Sequence, residues 1–74
     1  MTVIQLKYFL ALAETLNFSQ VAEQFYVAQT AISYSIKALE NELGAKLFER
    51  TTKKVELTPA GHIFYTRVKS AVQI

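Results

Sequence analysis

The chain contains no cysteine. Disulfides and thiolate metal sites are therefore excluded, and the composition fits a reducing compartment. It has one proline and two glycines, so few positions offer ready-made turns or helix breaks. No apolar run approaches the roughly 18 residues of a membrane span. The N-terminus lacks the basic region and apolar run of a signal peptide. Also missing are a phosphate-binding glycine loop, a metal-ligand spacing and a nucleophile–base pairing. The lone histidine, His62, has no second ligand near it in sequence. Glu40 and Glu42 do not share a helix face, so they make no catalytic pair. Nothing here reads as an enzyme, and no cofactor is expected in this segment. The 74 residues make one small domain of marginal stability unless it associates. The apolar fraction, 51%, is too high for a disordered chain.

What is present is a patterned, mostly helical chain. The net charge is only +2, but Lys46, Arg50, Lys53 and Lys54 supply four of the eight basic residues. A first helix is expected over 3–16. Leu6, Phe9, Leu10, Ala13 and Leu16 form its main apolar row, and Ile4, Tyr8 and Leu12 form a second. An apolar surface this wide predicts packing on two sides, against its own core and against something more. Asn17 and Ser19 offer N-caps for a second helix over about 19–26, with Val21, Ala22 and Phe25 inward. Tyr26, Val27 and Ala28 make a turn without glycine. A third helix over 29–43 aligns Ile32, Ile36, Leu39 and Leu43, and Gly44 supplies its stop. Its other side carries Thr30, Ser33, Tyr34, Lys37 and Asn41. Residues 47–57 then read as strand, turn and strand with the basic tip Arg50-Thr51-Thr52-Lys53-Lys54. The tip lacks the Asn-Gly or Asp-Gly of the tightest hairpins. Thr58-Pro59 opens a last helix, by a cap and a residue suited to the first helical position. Ala60, Phe64, Val68, Ala71 and Val72 share its apolar side. His62, Thr66, Lys69 and Gln73 lie opposite. The chain stops at Ile74 without a cap, as a helix cut short would.

The expected fold is mainly α: a winged helix-turn-helix of three helices plus a small β-hairpin wing, followed by a linker helix. Residues 1–58 form the winged domain, with the helix-turn-helix over 18–37 and the wing over 47–57. Residues 59–74 form a linker or dimerisation helix. A helix fits the major groove, where its N-terminal residues come nearest the base edges. Gln29 can exchange two hydrogen bonds with an adenine edge, and Thr30 and Ser33 can donate or accept. Tyr34 can reach a base, a sugar edge or a phosphate. Lys37 suits a phosphate as a point charge. The start of the second helix, at Ser19 and Gln20, can take another through free N–H groups. Arg50, Lys53 and Lys54 would grip the flanking backbone. Each of these residues, taken singly, also fits an ordinary solvated face; a winged helix turned to a protein partner is the rival reading.

Taken in order, LKYFLALAETLNFSQVAEQF, VAQTAISYSIKALENELGAKLFER and VELTPAG resemble the N-terminal DNA-binding domain of LysR-type bacterial transcriptional regulators. The resemblance runs from about Ile4 to Tyr65. It implies a sequence-specific reader of double-stranded DNA, working in the cytoplasm on the nucleoid. Gln29, Thr30 and Ser33 fall on positions the family uses at DNA, and Arg50 on an arginine used at the backbone. Thr58-Pro59-Ala60-Gly61 matches the start of the helix that pairs two subunits. A homodimer is the expected partner arrangement, through Ile4, Tyr8, Leu12, Phe64, Val68 and Val72, with two recognition helices on a near-palindromic site. A small-molecule effector would act only through a domain this sequence lacks. Two departures stand out. Ala28 replaces the usual serine cap, which typically costs about 1 kcal/mol of helix stability, and leaves Thr30 as an alternative cap. Tyr34 replaces an arginine or other polar residue.

Overall fold

The computed structural model describes residues 1–72. In chain order it has α1 (Val3–Thr15), α2 (Phe18–Phe25), α3 (Gln29–Leu43), β1 (Phe48–Arg50), β2 (Val55–Leu57) and α4 (Pro59–Val72). This is the expected arrangement of three helices, a hairpin and a last helix. Gln73 lies outside the described residues.

Local chemistry accounts for each boundary. Thr2 opens α1 with a reciprocal cap: the Gln5 N–H donates to Thr2 Oγ1, and the Thr2 N–H donates to Gln5 Oε1, both at 3.1 Å. Two of the orphan donors that every helix start carries are thereby satisfied. Asn17 caps α2 by accepting from the Gln20 N–H at 3.0 Å. Ser19, the other cap candidate, lies inside the helix, which starts at Phe18. The glycine-free turn is made by Tyr26, which takes the left-handed conformation at φ 57°. Leu16 does the same at φ 54° after α1. Both conformations are costly for a residue with a Cβ, by about 1 kcal/mol or more each. Ala28 starts α3 in an extended conformation with no side-chain hydrogen bond. Thr30 is the second helical residue rather than the alternative cap. Gly44 ends α3 at φ 68°, a conformation glycine adopts without penalty.

The hairpin is antiparallel, with Phe48 opposite Leu57 and Arg50 opposite Val55. Thr51 does the work of the missing Asn-Gly. Its Oγ1 accepts from the N–H groups of Lys53 at 3.3 Å and Lys54 at 3.1 Å. Its own N–H donates to the Lys54 carbonyl at 2.9 Å. A hydroxyl thus folds the loop by imitating a backbone turn.

The core gathers Phe9, Leu12, Val21, Ile32, Leu39 and Leu47, all fully buried. Helix α1 is central and packs against α2, α3 and α4. Its second apolar row is explained by this chain's own helices. Tyr8 and Leu12 are buried in the core, Leu12 with 0% exposure, so neither is available to a partner. Tyr8 meets Phe25 edge-on at 4.9 Å between ring centres. Val68 is likewise buried, and Phe64 is half-buried against Phe9 at 5.0 Å. Of the six expected dimer contacts, only Ile4 is exposed; the Val72 side chain lies outside the described residues. Leu43, expected to complete the apolar row of α3, is at the helix end and exposed. Lys69 was expected to face away from the apolar side of α4. Instead its Nζ donates to the Tyr65 hydroxyl at 3.0 Å and sits 3.6 Å from Glu14 on α1. The Tyr65 hydroxyl donates to the same Glu14 at 2.9 Å. The Tyr65 hydrogen bond and, secondarily, Glu14 raise the Lys69 pKa.

Candidate nucleic-acid interface

Helix α3 buries Ile32, Ile36 and Leu39, which fixes what the opposite side must show. Gln29, Thr30, Tyr34 and Lys37 are exposed and Ser33 is half-buried. Tyr34 is the most open of them, with 79% of its surface accessible. These residues recur at helical spacing, so a single docking motion can present them together. The missing side-chain cap at Ala28 leaves the first N–H groups of α3 free of a serine or threonine partner.

Gln29 is not a loose side chain. Its Nε2 donates to Ser19 Oγ at 2.7 Å, bridging the first turn of α2 to the first turn of α3. The two positions were expected to meet a phosphate and a base separately; the structure joins them. Gln20 lies beside Ser19, exposed, with its N–H taken by Asn17.

The wing is set at a definite distance from α3 by Glu40. This α3 carboxylate accepts from the N–H groups of Leu47 at 2.7 Å and Phe48 at 3.2 Å. Arg50 follows on β1, and its guanidinium lies over the Phe18 ring at 4.0 Å from the centroid. That stacking, worth about 0.5–1 kcal/mol at an exposed site, aims the cation at the start of α2. An open groove of about 550 Å³ runs between α3 and the wing. Ser33, Lys37, Lys46, Phe18 and Arg50 are among its walls.

The wing lysines divide. Lys54 is paired with Glu56 at 2.9 Å, and this hydrogen bond, reinforced by the opposite charge, raises its pKa. Lys46 makes a looser pair with Glu49 at 3.8 Å. Among the described residues, Lys37, Arg50 and Lys53 have no acidic partner. Lys54 is thus partly neutralised where the sequence alone suggested a free cation. Its partner, Glu56, is two residues on, in β2.

Sequence reasoning missed three contributors. Phe18, not singled out in the sequence, is buried in the core and its ring also supports Arg50. Glu40, considered in the sequence only as half of a catalytic pair, holds the wing. Tyr26 reads as a turn residue, yet it is 94% exposed immediately before the reading helix. Only the third carried a signal, as an aromatic in a turn lacking glycine. No group of three or more potential metal-binding side chains occurs among the described residues. No helix described is long and apolar enough to cross a membrane.

Known proteins share this arrangement. The model of the bacterial regulatory helix-turn-helix proteins of the lysR family matches residues 3–62. The HTH-type transcriptional regulator TfdT of Cupriavidus pinatubonensis is 48% identical over 64 residues, covering 86% of this chain and 28% of that protein. IlvR of Caulobacter vibrioides, also an HTH-type transcriptional regulator, is 44% identical over 72 residues, covering 97% of this chain and 24% of its own length. The chain thus spans about a quarter of these relatives. Among solved structures, a complex of the CbnR DNA-binding domain with DNA superposes with a TM-score of 0.92 at 40% identity, over 99% of this chain and 84% of that one. A complex of the BenM DNA-binding domain with catB site 1 DNA gives 0.91 at 37% identity, over 99% and 82%.

Proposed function

This chain belongs to the lysR family of bacterial regulatory helix-turn-helix proteins, and from that membership we propose that it binds double-stranded DNA in a sequence-specific way as part of a transcriptional regulator. One observation carries the reading. Ser33 and Asn41 of α3 and the free cations Lys37 and Arg50 border a single groove, with Gln29, Thr30 and Tyr34 exposed on the same helix and Lys53 at the wing tip. A duplex seated there meets hydrogen-bonding residues at its base edges and positive charge at the flanking backbone. The related CbnR and BenM structures are complexes of the corresponding domain with DNA. The relatives are regulators rather than enzymes, in keeping with the sequence reading. The protein acts in the cytoplasm on the nucleoid, needs no cofactor in this segment, and receives any small-molecule signal through a part of the protein outside this chain.

Counterion release tests the reading. Lys37, Arg50 and Lys53 give six free cations in a dimer. If each neutralises one phosphate, affinity should fall about a thousandfold between roughly 50 and 200 mM salt. A titration of labelled duplex across that range checks it. Binding that is flat in salt, or missing at low salt, favours a protein partner instead.

The dimer is part of the same proposal, with its contacts reassigned. Helix α4 spends Phe64 and Val68 on its own domain and leaves Ile63 60% exposed. Ile4 is the exposed member of the α1 row. These two residues, rather than Tyr8, Leu12 or Val68, are the apolar surface offered to a second copy. Sedimentation at micromolar concentration should give a dimer that Ile63→Glu dissociates. A dimer indifferent to Ile63→Glu would remove α4 from the interface.

A further inference from the structure

We propose that Ser19 is a positioning residue for base recognition, which fixes the direction in which the Gln29 amide faces the duplex. The inference rests on the DNA-binding reading and goes beyond it by assigning an adenine to Gln29 and a cause to that choice. Gln29 Nε2 gives one hydrogen to Ser19 Oγ at 2.7 Å. An amide nitrogen carries two. With the hydrogen anti to Oε1 given to Ser19, the syn hydrogen and Oε1 remain side by side, the donor–acceptor pair that matches N7 and the N6 amine of adenine.

A hydroxyl can donate as well as accept, so Ser19 alone would tolerate a flipped amide. Its surroundings remove that freedom. Ser19 is in the first turn of α2, where Asn17 takes the N–H of Gln20. The N–H groups of Phe18 and Ser19 have no helical acceptor at that position. Arg50 lies over Phe18 at the same helix end. Two free N–H groups, the positive end of the helix and a guanidinium together suit a phosphate. Once a phosphate is there, it takes the Ser19 hydroxyl hydrogen. The Ser19 oxygen can then only accept, and the amide must present its nitrogen to it. Backbone contact thereby decides base preference, through one hydroxyl.

Binding selection on randomised duplexes tests this with the parent protein, Ser19→Ala, Ser19→Thr, Gln29→Ala and the double alanine variant. The parent should prefer adenine at one position of each half-site, and Gln29→Ala should reduce that preference about tenfold. Ser19→Ala should reduce it about threefold or more at the same position and no other, as loss of a positioning contact requires. Ser19→Thr should keep it, and the double variant should be no worse there than Gln29→Ala. Ser19 is exposed, so its variants should melt with the parent. Uniform weakening by Ser19→Ala with the adenine preference intact would overturn the inference and leave DNA binding standing. So would a parent indifferent to adenine. A parent that binds no duplex at low salt overturns both.

Discussion

Gly61→Ala should lower the stability of the domain by about 3 kcal/mol, against the trend for helical glycines. Gly61 is buried in the first turn of α4. In an open helix, replacing glycine with alanine gains about 1 kcal/mol of helix propensity. Here a Cβ would stand 2.2 Å from the Leu47 carbonyl oxygen and 2.7 Å from Leu57 Cδ2. The leucine side chain can turn away; the carbonyl cannot. It accepts from the Thr58 N–H at 3.0 Å, and Thr58 in turn caps α4 through the Gly61 N–H at 3.0 Å. The Thr58 hydroxyl also donates to the Lys46 carbonyl. Relieving the clash means pulling α4 away from the start of the wing and breaking this joint. For a domain of this size, about 3 kcal/mol corresponds to a fall in melting temperature of more than about 12 °C. A melting curve at or above that of the parent would mean that α4 and the wing are not packed this closely.

Phe9→Ala should cost about 3–5 kcal/mol, the usual range for deleting a buried phenyl ring. Phe9 has no exposed surface. It touches Phe48 of the wing at 5.6 Å and Phe64 of α4 at 5.0 Å between ring centres. Those two rings belong to the wing and to α4, which is tied to α1 a second time through Tyr65 and Lys69 at Glu14. The residual cavity therefore loosens both the wing and α4 against the helix between them. Small domains have total stabilities near the low end of about 5–15 kcal/mol, so the variant should be largely unfolded near body temperature. Urea denaturation followed by circular dichroism measures the loss. Phe9→Leu, which keeps most of the volume, should recover well over half of it. A loss below about 1 kcal/mol for the alanine variant would show that the site collapses around the gap.

Much of this was legible in the sequence because the decisive signals are local. Helix starts follow from Asn17 and Thr58, short polar side chains that reach backbone N–H groups three residues on; Thr2, not singled out in the sequence, does the same for α1. The stop at Gly44 follows from conformational freedom. The apolar rows of α2 and α3 identify Val21, Ala22, Ile32, Ile36 and Leu39 as core. The membership of residues 3–62 in the lysR family agrees with the resemblance read from the quoted segments. What was not legible depends on elements distant in the chain. The second row of α1 looked like surplus, because periodicity reports how much surface is apolar and not which neighbour covers it. Tyr8 and Leu12 turned out to be covered by the chain itself. The Lys54–Glu56 pair is the exception, only two residues apart and missed because the wing cations were read without their acidic neighbours. The link from Ser19 to Gln29 spans ten positions and two helices. No spacing rule finds it.

Glu40 gives the molecule a gauge. Its carboxylate belongs to the helix proposed to enter one groove, and the two amides it holds belong to the hairpin proposed to grip the strand beyond. The opening between them is fixed before any duplex arrives. A duplex must match that opening or be bent to it, and sequences differ in how readily they bend. The domain would thus measure the stiffness of base pairs that none of its side chains touches.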